Sequence, residues 1–269
     1  MGIVNVTKDS FSGDGTTVEK AIAQGLRMAE EGADILDIGG ESTRPGADKV
    51  SLEQELAQVI PVVEALAQKL TIPISIDTSK AEVMTASLKA GAAIINDVTA
   101  LRGLGKGDSA NNSLKLLADS DCPIILMHMQ GKPATMQKAP SYDNVMVEVY
   151  SFLAQRIEFC TANGIAEERI IVDPGIGFGK TVEHNRTLMT QQRILRGLGV
   201  PVLLGLSRKS IVGHLSGESR PDHRDNSSNL LAALGYFAGA NIFRVHDVKG
   251  ACEALKVAKG WFKGMESAP

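Results

Sequence analysis

The sequence predicts an α/β fold, a (β/α)8 barrel forming one domain over residues 1–269, on three observations. Short apolar runs alternate with longer stretches of helical periodicity from one end to the other. There are eight such runs, and each closes on a polar residue. Eight strand-helix units in about 250 residues favour closure into a barrel over an open sheet, and the C-terminal strand ends are where a barrel builds its site.

The runs are GIVNV (2–6), ADILDIG (33–39), IPISID (72–77), AAIIND (92–97), PIILMHM (123–129), RIIVDPG (169–175), PVLLGLS (201–207) and NIFRVHD (241–247). Continuous apolar runs of this length suit parallel strands buried on both faces. Between the second and third, Leu52, Leu56, Val59, Ile60 and Val63 repeat at helical spacing, the mark of an amphipathic helix. RGLGKGDSANN (102–112) reads as an enlarged loop after the fourth strand, and HLSGESRPDHRDNSS (214–228) as a variable loop after the seventh. Ahead of the first strand the sequence offers nothing to plug the barrel floor.

The bulk composition narrows the partners. A net charge of -3 provides no basic field for a nucleic acid, and 43% hydrophobic residues supply ample core. Cys122, Cys160 and Cys252 are odd in number and widely spaced, which points to buried thiols in a reducing cytoplasm. No apolar stretch reaches the length of a membrane span, and no basic-then-apolar leader is visible.

The strand ends carry Asn5, Asp37, Asp77, Asn96 with Asp97, His128, Asp173, the run Ser207, Arg208 and Lys209, and Arg244 with His246. Any one Asp or Asn serves equally well as a helix N-cap, and His246 alone as a structural histidine. Convergence of all eight on one rim points to a site. Asp77, Asn96, Asp173 and Lys209 can read the donor-rich edge of an aminopyrimidine. Asn5, Arg244 and His246, on first and last strands that become neighbours on closure, can hold an anion such as pyrophosphate. Asn5 or Asp9 can offer oxygen to Mg²⁺, which keeps most of its waters. DPGIGFGKT (173–181) fails as a phosphate loop because Pro174 stands where its first glycine belongs, so its glycines suggest backbone approaching a ligand beneath Phe178. The sequence has no HExxH or CxxC for a tightly held transition metal.

In order, MGIVNVTKDSFS, IGGESTRPGA, IDTSK, INDV, LMHMQG, DPGIGFGK, LSRKS and RVHDV resemble the successive signatures of the dihydropteroate synthases, over residues 1 to about 250. The resemblance implies condensation of 6-hydroxymethyl-7,8-dihydropterin pyrophosphate with p-aminobenzoate to give 7,8-dihydropteroate and pyrophosphate. It implies a pterin pocket at Asp77, Asn96, Asp173 and Lys209, a pyrophosphate site at Asn5, Arg244 and His246, and Mg²⁺ at Asn5 and Asp9. Phe11, Thr43, Arg44, Pro45, Phe178, Lys209 and Ser210 would take p-aminobenzoate, under loops Val6 to Thr16 and Gly40 to Asp48. It further implies a cytoplasmic homodimer inhibited by sulfonamides. The chain departs from the family at Lys8, where proline is usual, and at Ser12-Gly13-Asp14-Gly15. A sulfonamide-insensitive variant, a pterin-dependent methyltransferase and a non-catalytic pterin-binding module stand as alternatives.

Overall fold

The structure, a computed structural model, describes residues 1–6, 17–42, 50–103 and 109–266, the side chains of 109, 110 and 262–266 apart. Among these, strands and helices alternate as β1 (Gly2–Asn5), α1 (Val18–Glu30), β2 (Leu36–Gly39), α2 (Leu52–Ala67), β3 (Ile74–Asp77), α3 (Ala81–Ala90), β4 (Ile94–Asp97) and α4 (Ser109–Ala118). There follow β5 (Ile124–Met127), α5 (Val145–Ala162), β6 (Ile170–Asp173), α6 (Val182–Thr190), β7 (Leu203–Leu204), α7 (Ser210–Ser216), α8 (Asp225–Phe237), β8 (Ile242–Phe243) and α9 (Val248–Glu266). Every strand lies inside one of the eight apolar runs. β1 to β6 pair in parallel in sequence order, and β7 pairs with β8. Two bridges close the ring: Val172 to Val202 joins β6 to the residue before β7, and Gly2 to Val245 joins β1 to the segment after β8. The barrel is therefore closed.

Strand periodicity sorts the side chains into two sets. Val4, Leu36, Ile38, Ile74, Ile76, Ile95, Ile124, Leu126, Ile170, Val172, Leu204 and Phe243 join helix residues such as Val59, Val62 and Leu66 in the main core. The residues one step out of phase point into the barrel. At its floor Met1, Ile94, Ile125 and Leu203 pack with Ile35, Ile171 and Ile242, so the interior itself seals that end. Above this layer the inward positions turn polar.

Caps hold the helices at the lengths the site needs. Ser51 and Gln54 form a capping box at α2, Thr181 and His184 another at α6, and Asn144 accepts from Met146 and Val147 N–H at α5. The stretch 214–228 is more structured than a loop: it holds the end of α7, a 3-10 turn at Pro221–His223 and the start of α8. Of the stretch 102–112, residues 104–108 lie outside the described part, and α4 takes up its end. No helix among the described residues is long and apolar enough to cross a membrane.

The floor layer gives a direct test. Ile125 is fully buried within it. Ile125→Ala is expected to lower unfolding stability by about 2–5 kcal/mol, read from the denaturant midpoint. A loss under about 1 kcal/mol would show that the floor is not a packed layer.

Candidate active site

The inward phase above the floor brings together Asp37, Asp77, Asn96, Asp173 and Arg244, with Asn5 and His246 in the same phase nearer the mouth. Arg244 occupies the centre. Its Nε donates to Asp37 Oδ2 at 2.6 Å and its Nη2 to Asp77 Oδ2 at 2.9 Å. Asn96 Nδ2 donates to the same Asp37 oxygen at 3.2 Å, while Asp37 Oδ1 has no hydrogen-bond partner. The Asp37 side chain is 0% exposed, so the guanidinium is its neutralising charge. Burial pushes the Asp77 carboxyl up to about 7; Arg244 opposes this, and Asp37, Glu55 and Asp97 add to it. Burial works against the charge on Arg244, yet Asp37 and Asp77 hold its pKa above the ordinary value.

Lys209 enters from the turn after β7, between the strands that carry Asp173 and Arg244. Its Nζ donates to the Ile176 carbonyl at 2.6 Å and stands 4.6 Å from the centre of the Phe178 ring, a cation-π distance. Burial pulls the ammonium down to about 8 against the attraction of Asp173. Asp173 is itself raised by burial, with Lys209 and the Gly175 N–H, 2.7 Å from Oδ1, pulling the other way. Gly205 lies among these groups: a methyl there would make ordinary contact with Asp173 Oδ2, Arg244 Cβ and Lys209 Nζ. At the mouth, Ser207 Oγ lies 3.0 Å from His246 Nδ1 and accepts from the His246 backbone N–H, which fixes the ring's orientation. Ser210 is exposed at the first position of α7, as expected of a backbone donor there.

Some strand-end groups do not converge. Asp97 is one step out of phase and turns away, accepting from Thr99 N–H at 2.8 Å and Leu101 N–H at 2.9 Å to close a turn. His128 is also on the outward phase and packs edge-on against Phe152. Arg208 leaves the pocket for Asp225. Two of the glycines of 175–179 let loops of the barrel touch: a Cβ on Gly175 would strike the His128 carbonyl and one on Gly179 the Gln130 carbonyl, whereas one on Gly177 would meet Lys209 Cδ. Asp9, Phe11, Thr43, Arg44 and Pro45, and most of the two closing loops, lie outside the described residues.

Two groups escape a reading by motif. Lys180 is buried, with its Nζ donating to the Gly175 and Phe178 carbonyls at 2.9 and 3.0 Å and lying 2.9 Å from His128 Nδ1. It ties down the loop that presents Phe178. Burial pulls its pKa down to about 7. Lys80 bonds both Glu41 and the fully buried Glu55, anchoring the segment after β2 to α2 and β3. The one sequence signal for either was a charged residue inside a motif otherwise assigned to ligand.

A closed parallel barrel with a cluster of buried acids, amide and cations at its strand ends defines a class that the comparisons specify. Residues 1–246 match the family model described as pterin binding enzyme, and the chain belongs to that family. It is 45% identical to the dihydropteroate synthase of Escherichia coli K12 over 99% of this chain and 93% of that one. A solved Yersinia pestis dihydropteroate synthase with a sulfonamide drug complex superposes with a TM-score of 0.91 at 43% identity, covering 98% and 94% of the two chains. That of Xanthomonas albilineans with 4-aminobenzoic acid gives 0.88 at 47% identity, covering 100% and 93%.

Removing the central cation leaves a buried carboxylate unpaired. Arg244→Met is expected to cost about 3–5 kcal/mol of stability. Chemical denaturation of the ligand-free protein measures it, and a cost below about 1 kcal/mol would mean that the fold does not depend on the Arg244–Asp37 pair.

Proposed function

We infer that this chain is a dihydropteroate synthase, one pterin-binding domain that joins the pterin pyrophosphate to p-aminobenzoate. The observation that carries the reading is the set Asp77, Asn96, Asp173 and Lys209 gathered about Arg244 at the strand ends, in a chain with 45% identity to such a synthase. Asp173 and Asn96 would accept from and donate to the aminopyrimidine edge, and Asp77, poised near neutrality, can do either. Lys209 supplies a donor to the ring beside Phe178. Asn5, His246 and Arg244 line the departing pyrophosphate. The Arg244 bonds to Asp37 and Asp77 use Nε and one Nη2 hydrogen of its five N–H donors, which makes Arg244 the joint between the pterin and anion halves.

The reaction displaces pyrophosphate at the exocyclic CH2 of the pterin, forming the C–N bond as the C–O bond breaks. The aromatic amine is neutral and nucleophilic at pH 7, so the residues mainly orient the two substrates, stabilise leaving charge and exclude water. Asn5 offers a neutral, part-buried oxygen at the mouth, which fits a hard cation that keeps its waters and leans on substrate phosphates. Asn5 with Asp9 would hold Mg²⁺, which when bound neutralises charge on the pyrophosphate. Phe11, Thr43, Arg44 and Pro45 complete the p-aminobenzoate site with Phe178 and Ser210. Two further features support a cytoplasmic homodimer. The three thiols form no disulfide, and the adjoining helices α8 and α9 expose Leu230, Leu234, Val257 and Trp261, the last two at 73% and 70%.

Incubation with pterin pyrophosphate, p-aminobenzoate and Mg²⁺ is expected to yield dihydropteroate, with sulfamethoxazole inhibiting competitively against p-aminobenzoate. Absence of product sinks the assignment; inhibition that p-aminobenzoate does not relieve removes the shared pocket. Turnover without inhibition favours an insensitive variant, for which Lys8 and the residues after it would be responsible.

The pH profile follows from Lys209. With its pKa lowered to about 8, the ammonium is present below that pH and lost above it, so kcat/KM for the pterin substrate should fall on a basic limb near pH 8. Lys209→Arg should move that limb upward by more than one pH unit. An unmoved limb would assign it to another group.

A further inference from the structure

The turn that delivers Lys209 to the pocket passes through a residue in a conformation L-amino acids rarely adopt. Leu206 O accepts from Lys209 N–H, closing a four-residue turn, and the third residue of that turn, Arg208, has φ of 60°. Glycine or asparagine is the ordinary occupant of such a position. Arginine gains nothing there from its backbone, so the reason for it must lie in its side chain.

That side chain points away from the pocket. Its Nε and Nη2 form two parallel bonds of 2.7 Å each to the carboxylate of Asp225, the first residue of α8. The backbone is held from the same direction: Arg208 N–H donates to Ser228 Oγ at 3.0 Å, and its carbonyl accepts from Arg224 Nη1 at 3.0 Å. Arg224 lies across Gly213 of α7, where a Cβ would collide with its guanidinium. Asp225 raises the pKa of Arg208 further above its ordinary value, with Asp222 and Asp247 adding to it. Strained backbone of this kind persists where its surroundings over-determine it, and it clusters at functional sites.

The neighbours of Arg208 are both site residues. Ser207 orients His246, and Lys209 reaches Ile176 O and the Phe178 ring. Building on the synthase reading, we propose that the Arg208–Asp225 ion pair is a positioning device, by which the first turn of α8 sets the turn at 206–209 and so aims Lys209 and His246 into the pocket. Arg208 touches no substrate. It acts through Lys209, of the pterin half, and through Ser207, which orients His246 of the pyrophosphate half.

Arg208→Gly separates this from a structural role, because glycine keeps the backbone conformation without strain while deleting the fork. The variant is expected to melt within a few degrees of the wild type. Its kcat/KM for the pterin pyrophosphate should fall at least tenfold, with KM rising and kcat falling. A second readout needs no turnover: the ¹³Cε resonance of Lys209, identified by its loss in Lys209→Arg, should titrate at a higher pH in Arg208→Gly than in the wild type as the ammonium swings toward solvent. Wild-type kinetics and an unchanged Lys209 titration in the folded variant would overturn the proposal. If wild-type protein forms no dihydropteroate, the synthase reading fails, while the titration still decides the positioning role. Should Arg208→Gly not fold, Asp225→Asn keeps arginine and the turn but removes the charge. A higher Lys209 titration in that variant supports the proposal, and an unchanged one refutes it.

Discussion

The guanidinium of Arg244 is the constraint on which the barrel's upper half depends. Parallel strands buried on both faces leave the inward phase with no solvent, and this chain puts carboxylates there at Asp37, Asp77 and Asp173. An unpaired ion in such a place costs several kcal/mol, roughly the whole margin by which a domain is stable. One planar cation with donors along two edges meets Asp37 and Asp77 at once, which a lysine's point charge does not do with the same geometry. The remaining acid, Asp173, is balanced by Lys209 from the turn after the neighbouring strand β7. The pocket is thus a charge-compensated core that opens upward, over a floor of isoleucines that needs no compensation.

The strands were legible because a doubly buried strand has a composition of its own, and all eight fell within their apolar runs. β7 and β8 are shorter than their runs, two residues each. The site was legible up to phase. Asp77, Asn96, Asp173 and Arg244 occupy the inward phase, whereas Asp97 and His128 end their strands one step off and turn outward. The information was present: Asp97 follows Asn96, and two adjacent strand residues cannot both face the barrel axis. Arg208 is a different case, because a left-handed residue breaks the alternation that phase counting relies on.

What motif reading missed lies beneath the motif residues. Asp37 was visible as a strand end but not as the anchor of Arg244, because the partners are 207 residues apart in sequence and adjacent only on closure. Lys180 sits in a glycine-rich stretch that invites a phosphate reading, yet its three close contacts are two carbonyls and an imidazole nitrogen of the protein. Of the glycines that precede it, Gly175 and Gly179 let the loops after β5 and β6 touch. This is why Phe178, an apolar ring in a loop, is held firmly enough to form a wall of the p-aminobenzoate site we infer.

Burial tunes this pocket as well as shaping it. The same desolvation that makes the acids costly lifts Asp77 to about 7 and lowers Lys209 to about 8, so both protonation equilibria are soft in the working range. Ionised Asp77 favours the charged form of Lys209, so a ligand that donates to Asp77 also favours the charged ammonium. A heterocycle with a donor edge would therefore do more than fill space: by holding the Asp77 carboxylate ionised, it would favour the cationic form of Lys209, the donor we infer for the same ring.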